Sequence, residues 1–263
     1  MSILSRTQVG INIFGNKLII TGYKFEGFVF NELAQLFDKI RGVDPENYKE
    51  KLGDLKTFFR SVSKSMGFSL IKPAVFLSLP EEFINCTNYY SFKDGLISAI
   101  LANGWSKVYF VQEIVAAAIG ADLPYNKLTI DGLYTKSIFL FCKSNSVTYG
   151  IGCAGGMFES GVIPLNISNI NQTVFDKIIN LLTRKDIETP KSFVERPYSK
   201  EIKERLKSSW EAEVGKTIYI MASDEVRLGF TSKIFGCNFV NPARYESFIS
   251  LGLDKVRTSV MGN

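Results

Sequence analysis

Lys107-Val108-Tyr109-Phe110-Val111-Gln112-Glu113-Ile114-Val115-Ala116-Ala117-Ala118-Ile119-Gly120 is the stretch on which the fold of this chain turns. Val108 to Val111 are β-branched or aromatic, the composition of a strand. Glu113 to Ile119 read as a helix centred on three alanines. Side chains that small fill no space at a distance, so this helix has to pack closely against its neighbour. A strand running straight into a helix is half of a crossover unit, and such units build sheets with helices laid on them.

The same pattern recurs outward from this stretch. Upstream, Lys72-Pro73 leads into the strand Ala74 to Leu79, which Pro80 ends, and a helix from about Tyr89 to Ala102 stops at Asn103-Gly104. Further upstream, Gln8 to Thr21 reads as a hairpin turning at Gly15-Asn16. Asn31 to Arg41 carries Leu33, Leu36, Phe37 and Ile40 at helical spacing and stops at Gly42. After a turn at Val43-Asp44-Pro45-Glu46, a second helix puts Leu52, Leu55, Phe59 and Val62 on one face.

Downstream, Ser137 to Cys142 and Ser146 to Gly152 pair about a tight turn at Lys143-Ser144-Asn145. Gly155-Gly156 is a turn and Val162 to Ile167 a strand. Val174 to Leu182 is a helix, Arg184 to Tyr198 a proline-broken loop, and Ser199 to Glu213 a charged helix. Thr217 to Met221 is a buried strand followed by a helix from about Glu225. A short strand ends at Phe239-Val240, and Asn241-Pro242 opens a last helix carrying Tyr245, Phe248 and Leu251. Each half thus repeats one plan, a hairpin followed by alternating strands and helices. That plan implies an α/β protein of two lobes with a cleft between them.

Composition narrows the chemistry. With 46% hydrophobic residues over 263 positions there is material for a sizeable core. The absence of histidine removes the commonest general base and the commonest metal ligand. Cys86, Cys142, Cys153 and Cys237 form no C-x-x-C pair, so they read as buried free thiols and no metal site is expected. The net charge of +5 comes from scattered Lys and Arg, which argues against nucleic acid as a partner. The N-terminus shows no secretory signal and no apolar run is long enough to span a bilayer, so a cytoplasmic protein is expected.

Three stretches together resemble the bacterial actin MreB family. Lys107 to Gly120 is similar to that family's VFLIEEPMAAAIG. Phe68-Ser69-Leu70-Ile71-Lys72-Pro73-Ala74-Val75-Phe76-Leu77-Ser78-Leu79-Pro80 is similar to LFKPRVVIGVP, and Asn241-Pro242-Ala243 through Gly252 to DPLTAVALG. Order and spacing agree, and weaker matches carry the resemblance over nearly the whole chain. It implies an actin-like (ribonuclease H-like) fold of two lobes, mixed sheets with flanking helices, and small outer subdomains reduced or missing. Residues 1–135 and 241–263 would form the first lobe, its small subdomain reduced over about 22–55. Residues 136–240 would form the second, its small subdomain largely absent near 183–198.

Actin-type ATPases bring backbone N–H groups up to phosphates at two glycine-rich hairpin turns, each opened by an aspartate that organises Mg²⁺. Against the family's first turn, GIDLGT, this chain has Gly10-Ile11-Asn12-Ile13-Phe14-Gly15. Asn12 replaces the aspartate and Phe14 a glycine, with Gly15 one residue beyond. In the second turn Phe141 replaces the aspartate and all three glycines are gone, leaving Lys143 and Asn145 at the tip; Gly150, Gly152, Gly155 and Gly156 lie past it as structural residues. The adenosine cluster becomes Met221 to Gly229, with Asp224-Glu225 capping the expected helix. Gln112 and Glu113 match the pair that positions the attacking water, and without phosphates held in line they are vestigial.

No cofactor is therefore expected; binding of ATP with magnesium, without hydrolysis, stays open but has no positive support. The resemblance implies a peripheral membrane contact on the inner face of the cytoplasmic membrane through Phe68, Leu70 and Ile71, beside Lys64 and Lys72. The same residues also read as a strand entry buried in the core. Three functions follow. The first is a non-catalytic, MreB-like cytoskeletal or scaffold protein of cell shape or filament regulation, partnered by itself, a full-length actin homologue and the membrane. The second is an actin-like ATPase with a rearranged site built on Gly15, Lys143 and Gln112, and the third a peptide-binding adaptor in an assembly machine.

Overall fold

The structure, a computed structural model, describes residues 7–15, 18–22, 31–67, 70–123, 136–153, 156–165, 169–171, 173, 176–178, 180, 199–211, 217–223, 226–228, 237–239 and 245–261. The chain divides into two compact units, Met1–Ala121 with Glu246–Asn263, and Asp122–Tyr245.

The first unit is built on a four-stranded sheet in the order β2-β1-β3-β4. Its strands are β1 (Gln8–Asn12), β2 (Ile19–Gly22), β3 (Ala74–Leu79) and β4 (Lys107–Gln112). β1 and β2 form the expected antiparallel hairpin, while β3 and β4 run parallel to β1. Helices α1 (Asn31–Ile40), α2 (Tyr48–Ser65), α3 (Glu81–Ile84) and α4 (Tyr89–Leu101) bring Leu33, Phe37, Leu55, Phe59, Val62, Phe83, Phe92 and Leu96 into one core with Val9, Ile11, Val75 and Leu77. Between α1 and α2, Asp44 organises the turn: Glu46 N–H donates to its Oδ1 at 2.9 Å and Asn47 Nδ2 to its Oδ2 at 3.2 Å. Trp105, fully buried, donates from Nε1 to the Phe59 carbonyl at 3.0 Å and so ties the start of β4 to α2.

Helices α5 (Glu113–Gly120) and α7 (Tyr245–Met261) meet in this unit. Here the close packing expected of the alanine run is realised through two glycines. A Cβ added to Gly252 would lie 1.7 Å from the Ala116 carbonyl oxygen, and one added to Gly120 would lie 1.9 Å from that of Phe248. The helices touch backbone to backbone, a contact that only glycine permits. Ala116, Ala117 and Ala118 are buried, as are Ile249 and Leu253. Of the apolar residues of α7, Ile249 and Leu253 take the buried stripe, and Leu251 is 46% exposed.

The second unit carries a five-stranded sheet in the order β11-β9-β5-β6-β7. Its strands are β5 (Ser137–Cys142), β6 (Ser146–Cys153), β7 (Gly156–Pro164), β9 (Thr217–Ala222) and β11 (Cys237–Phe239); β8 (Asn169–Ile170) and β10 (Arg227–Leu228) form a small parallel pair beside it, and α6 covers Lys200–Glu211. Every residue of β5 and β6 is buried. Covered on both faces, such strands read as unbroken apolar runs rather than alternating ones. Ile178 and Leu206 join the core on the Ile138, Leu140 and Tyr149 face.

Three sequence expectations are corrected here. The third strand begins at Gly156, not Val162, and pairs antiparallel with β6 along its length with one irregularity at Ile151/Gly152; cross-strand pairing overrides the turn preference of glycine. The helix expected from about Glu225 is not formed at Arg227-Leu228, which pair with Asn169-Ile170 as β10; Asp224 and Glu225, read as its caps, lie outside the described residues. Cys86 is half-buried, whereas Cys142 and Cys153 are the buried free thiols expected. The loop expected over 184–198, the opening of the last helix at Asn241-Pro242 and Gly155 lie outside the described residues.

Candidate functional site

In the first unit the carboxyl ends of β1, β3 and β4 lie side by side, because Ile11 pairs with Leu77 and Leu79 with Gln112. Open α/β sheets present their ligand sites at this edge. The register brings Asn12, Ser78, Gln112 and Glu113 to it.

Asn12 is 1% exposed. Its Oδ1 accepts from the Ser78 hydroxyl at 2.9 Å and from the Phe14 N–H at 3.4 Å. Its Nδ2 is buried with no partner among the described residues. Phe14, where the resemblance expects a glycine, turns its ring into the unit's own core. The ring centroid lies 4.8 Å from that of Phe83 and 6.4 Å from that of Phe92, and Phe83 and Phe92 are themselves 5.0 Å apart. Tyr48 extends the chain of rings, edge-on to Phe92 at 5.5 Å. Gly95 makes room for it, since a Cβ there would come within 2.7 Å of the Tyr48 ring. Tilted and edge-on contacts at these distances are the favoured aromatic geometries. Gly15 follows in a half-buried bend.

Gln112 ends β4 and precedes α5, with no side-chain capping bond. Glu113 is 4% exposed in the first turn of α5, where the helix dipole favours a carboxylate. The sequence pointed to Asn12, Gly15, Gln112 and Glu113; it missed Ser78, Phe83 and Phe92, which hold the first turn in place. The pairing of β1 with β3 is the signal that could have found Ser78.

The second unit holds the other turn. Lys143 N–H donates to the Ser146 carbonyl at 2.8 Å and closes the β5–β6 hairpin, and the Asn145 carbonyl accepts from Leu165 N–H at 3.2 Å. Lys143 is half-buried and Asn145 exposed. Phe141 is wholly buried, paired across the sheet with Thr148 and Met221. Beside it, burial pushes the Cys142 thiol up to about 12, so the thiolate is absent at neutral pH.

At the end of α2, Gly67 (φ +79°) turns the chain. Leu70 beyond it is 72% exposed, Ile71 half-buried and Lys72 exposed; Phe68 lies outside the described residues. Leu70 is thus not a core residue, and the strand starts only at Ala74. No group of His, Cys, Asp and Glu among the described residues is arranged to hold a metal ion, and none of their helices is long and apolar enough to cross a membrane.

No family model matches the chain, and no curated protein matches it. Solved structures do. The crystal structure of MreB5 of Spiroplasma citri bound to AMPPNP aligns over 98% of this chain and 97% of its own, with 10% identity and a TM-score of 0.54. The structure of the same protein bound to ADP aligns over the same shares, with 14% identity and a TM-score of 0.51. With its two sheets, their flanking helices and near-complete alignment, this chain has the actin-like fold.

Proposed function

We propose that this chain is a non-catalytic actin-like cytoskeletal or scaffold protein that assembles with itself or with a full-length actin homologue at the inner face of the cytoplasmic membrane. The observation that carries the reading is the first turn. Its aspartate position is Asn12, buried and bonded to Ser78, and its glycine position is Phe14, seated on Phe83 and Phe92. A magnesium triphosphate does not fit these residues. The metal would meet an amide in place of a carboxylate, and the phosphates a turn pinned to the core by a phenyl ring. Phe141, buried at the matching position of the second turn, supports the same reading. The exposed Leu70 between Lys64 and Lys72 supports the membrane contact.

A thermal-shift titration with ATP and Mg²⁺ tests it. A ligand at one hundred times its Kd stabilises the native state by about 2.7 kcal/mol, so bound nucleotide would be visible; on this reading no shift at millimolar nucleotide is expected. A saturating rise would overturn the reading in favour of the second one, an ATPase with a rearranged site. That second reading draws its support from the nucleotides in the two MreB5 structures. Sedimentation, alone and with a full-length MreB, tests assembly; no pellet in either case removes the scaffold role.

A further inference from the structure

Four basic residues that are spread out in sequence come together in space. On α2, Lys49, Lys56, Arg60 and Lys64 follow one another at intervals of seven, four and four residues and are all exposed. At about 100° per residue they fall on a single stripe roughly 22 Å long. Gly53, also exposed, occupies the gap in it. The acidic residues of the helix, Glu50 and Asp54, lie about 100° or more round the axis from Lys49. Among the described residues none of the four cations holds an ion pair or a side-chain hydrogen bond. The opposite face of α2, with Leu55, Phe58, Phe59 and Val62, is sunk in the core, so the helix cannot turn the stripe away. The stripe ends where Gly67 turns the chain toward Leu70 and Lys72. That end is braced. Trp105 bonds to the Phe59 carbonyl, and the Ser106 hydroxyl donates to the carbonyls of Lys72 and Pro73, both at 2.9 Å.

We infer that the cationic stripe of α2 is a docking face for an anionic lipid bilayer, with Leu70 as its apolar anchor. This deepens the membrane reading above and rests on it. One exposed leucine gives only marginal attachment. The four unpaired cations of the stripe that leads to it match what an anionic leaflet supplies, and each adds electrostatic attraction that salt screens.

The test is co-sedimentation of the full chain with vesicles of phosphatidylcholine alone and of phosphatidylcholine mixed with phosphatidylglycerol. The chain is expected to favour the mixed vesicles, less so as salt is added. Each cation near the surface changes partition about five-fold, so Lys56→Gln/Arg60→Gln is expected to lose roughly 25-fold on mixed vesicles while keeping its thermal midpoint. Leu70→Ser is expected to weaken binding to both vesicle types. If the double variant binds mixed vesicles as the parent does, the stripe is not the docking face, although the membrane reading stands. If the parent binds neither vesicle, both fail. Loss of co-sedimentation with MreB filaments and not with vesicles would reassign the stripe to a protein partner and overturn the inference.

Discussion

Replacing Gly252 by alanine pits two effects of known size against each other. In an exposed helix interior the change stabilises by about 1 kcal/mol, because alanine is the better helix former. At Gly252 the new methyl would stand 1.7 Å from the Ala116 carbonyl oxygen and 2.5 Å from its carbon. Ordinary contact requires about 1.5 Å more. The obstacle is backbone, so no rotamer relieves it, and α5 and α7 have to separate. Overpacking costs about 1–3 kcal/mol and occasionally more. Parting the helices also loosens Ile249 and Leu253, which are buried at the same crossing, so the upper end applies. The net expectation is a loss of about 2 kcal/mol, or roughly 4–8 °C in Tm for a unit of this size. Thermal unfolding followed by circular dichroism measures it. Gly53→Ala is the control, since nothing lies within 4 Å of a Cβ there; it is expected to raise Tm slightly. Gly120→Ala added to Gly252→Ala should cost less than the sum, because the first substitution opens the gap the second needs. A Gly252→Ala protein at or above the parent Tm would refute the backbone-contact account.

Three further outcomes are expected. Phe14→Gly removes a half-buried ring from the Phe83–Phe92 seat, so stability should fall by about 2 kcal/mol; a gain of ATP-dependent stabilisation in that variant would show that the ring was the sole obstacle to nucleotide. Asn12→Asp buries a carboxylate with no counter-charge, so it should destabilise by about 2 kcal/mol, and less in acid, where the carboxylate is protonated; urea unfolding at two pH values checks this, and equal losses at both would count against it. The Cys142 thiol is raised from 9.0 to about 12, so the folded state keeps a proton that the unfolded state loses. Stability from this group is full below pH 9.0 and disappears as pH rises to about 12, at about 1.4 kcal/mol per pH unit. Cys142→Ala should therefore show a shallower alkaline decline than the parent, and parallel curves would sink the assignment.

The sequence was most legible where a residue's local preference and its tertiary role coincide. Val108 to Val111 favour a strand and form one, and the alanines after them demand a close neighbour and meet one at Gly252. Reading failed where a partner distant in sequence decides the outcome. Arg227-Leu228 followed a plausible cap but paired with Asn169-Ile170, and nothing local to Gly156 announced the whole length of β7 against β6. The candidate site shows the same division. Phe14 is visibly foreign to a phosphate turn, yet only the packing of α3 and α4 reveals that its ring is seated on Phe83 and Phe92. The basic stripe escaped a scan for dense charge because helical spacing separates its members by four or seven positions.

The return of α7 to the first unit bears on the order in which the protein comes into being. Residues 122–245 are an insertion of 124 residues between the two pieces of the first unit, which are 121 and 18 residues long. During synthesis the alanine face of α5 emerges early and finds no Gly252 to receive it. The inserted unit, continuous in sequence, can complete its sheet first, and only then does α7 close the other. Domains usually fold from the N-terminus as they appear. In the first unit that order is interrupted, because Ala116 meets Gly252 only once the helix that starts at Tyr245 has been made.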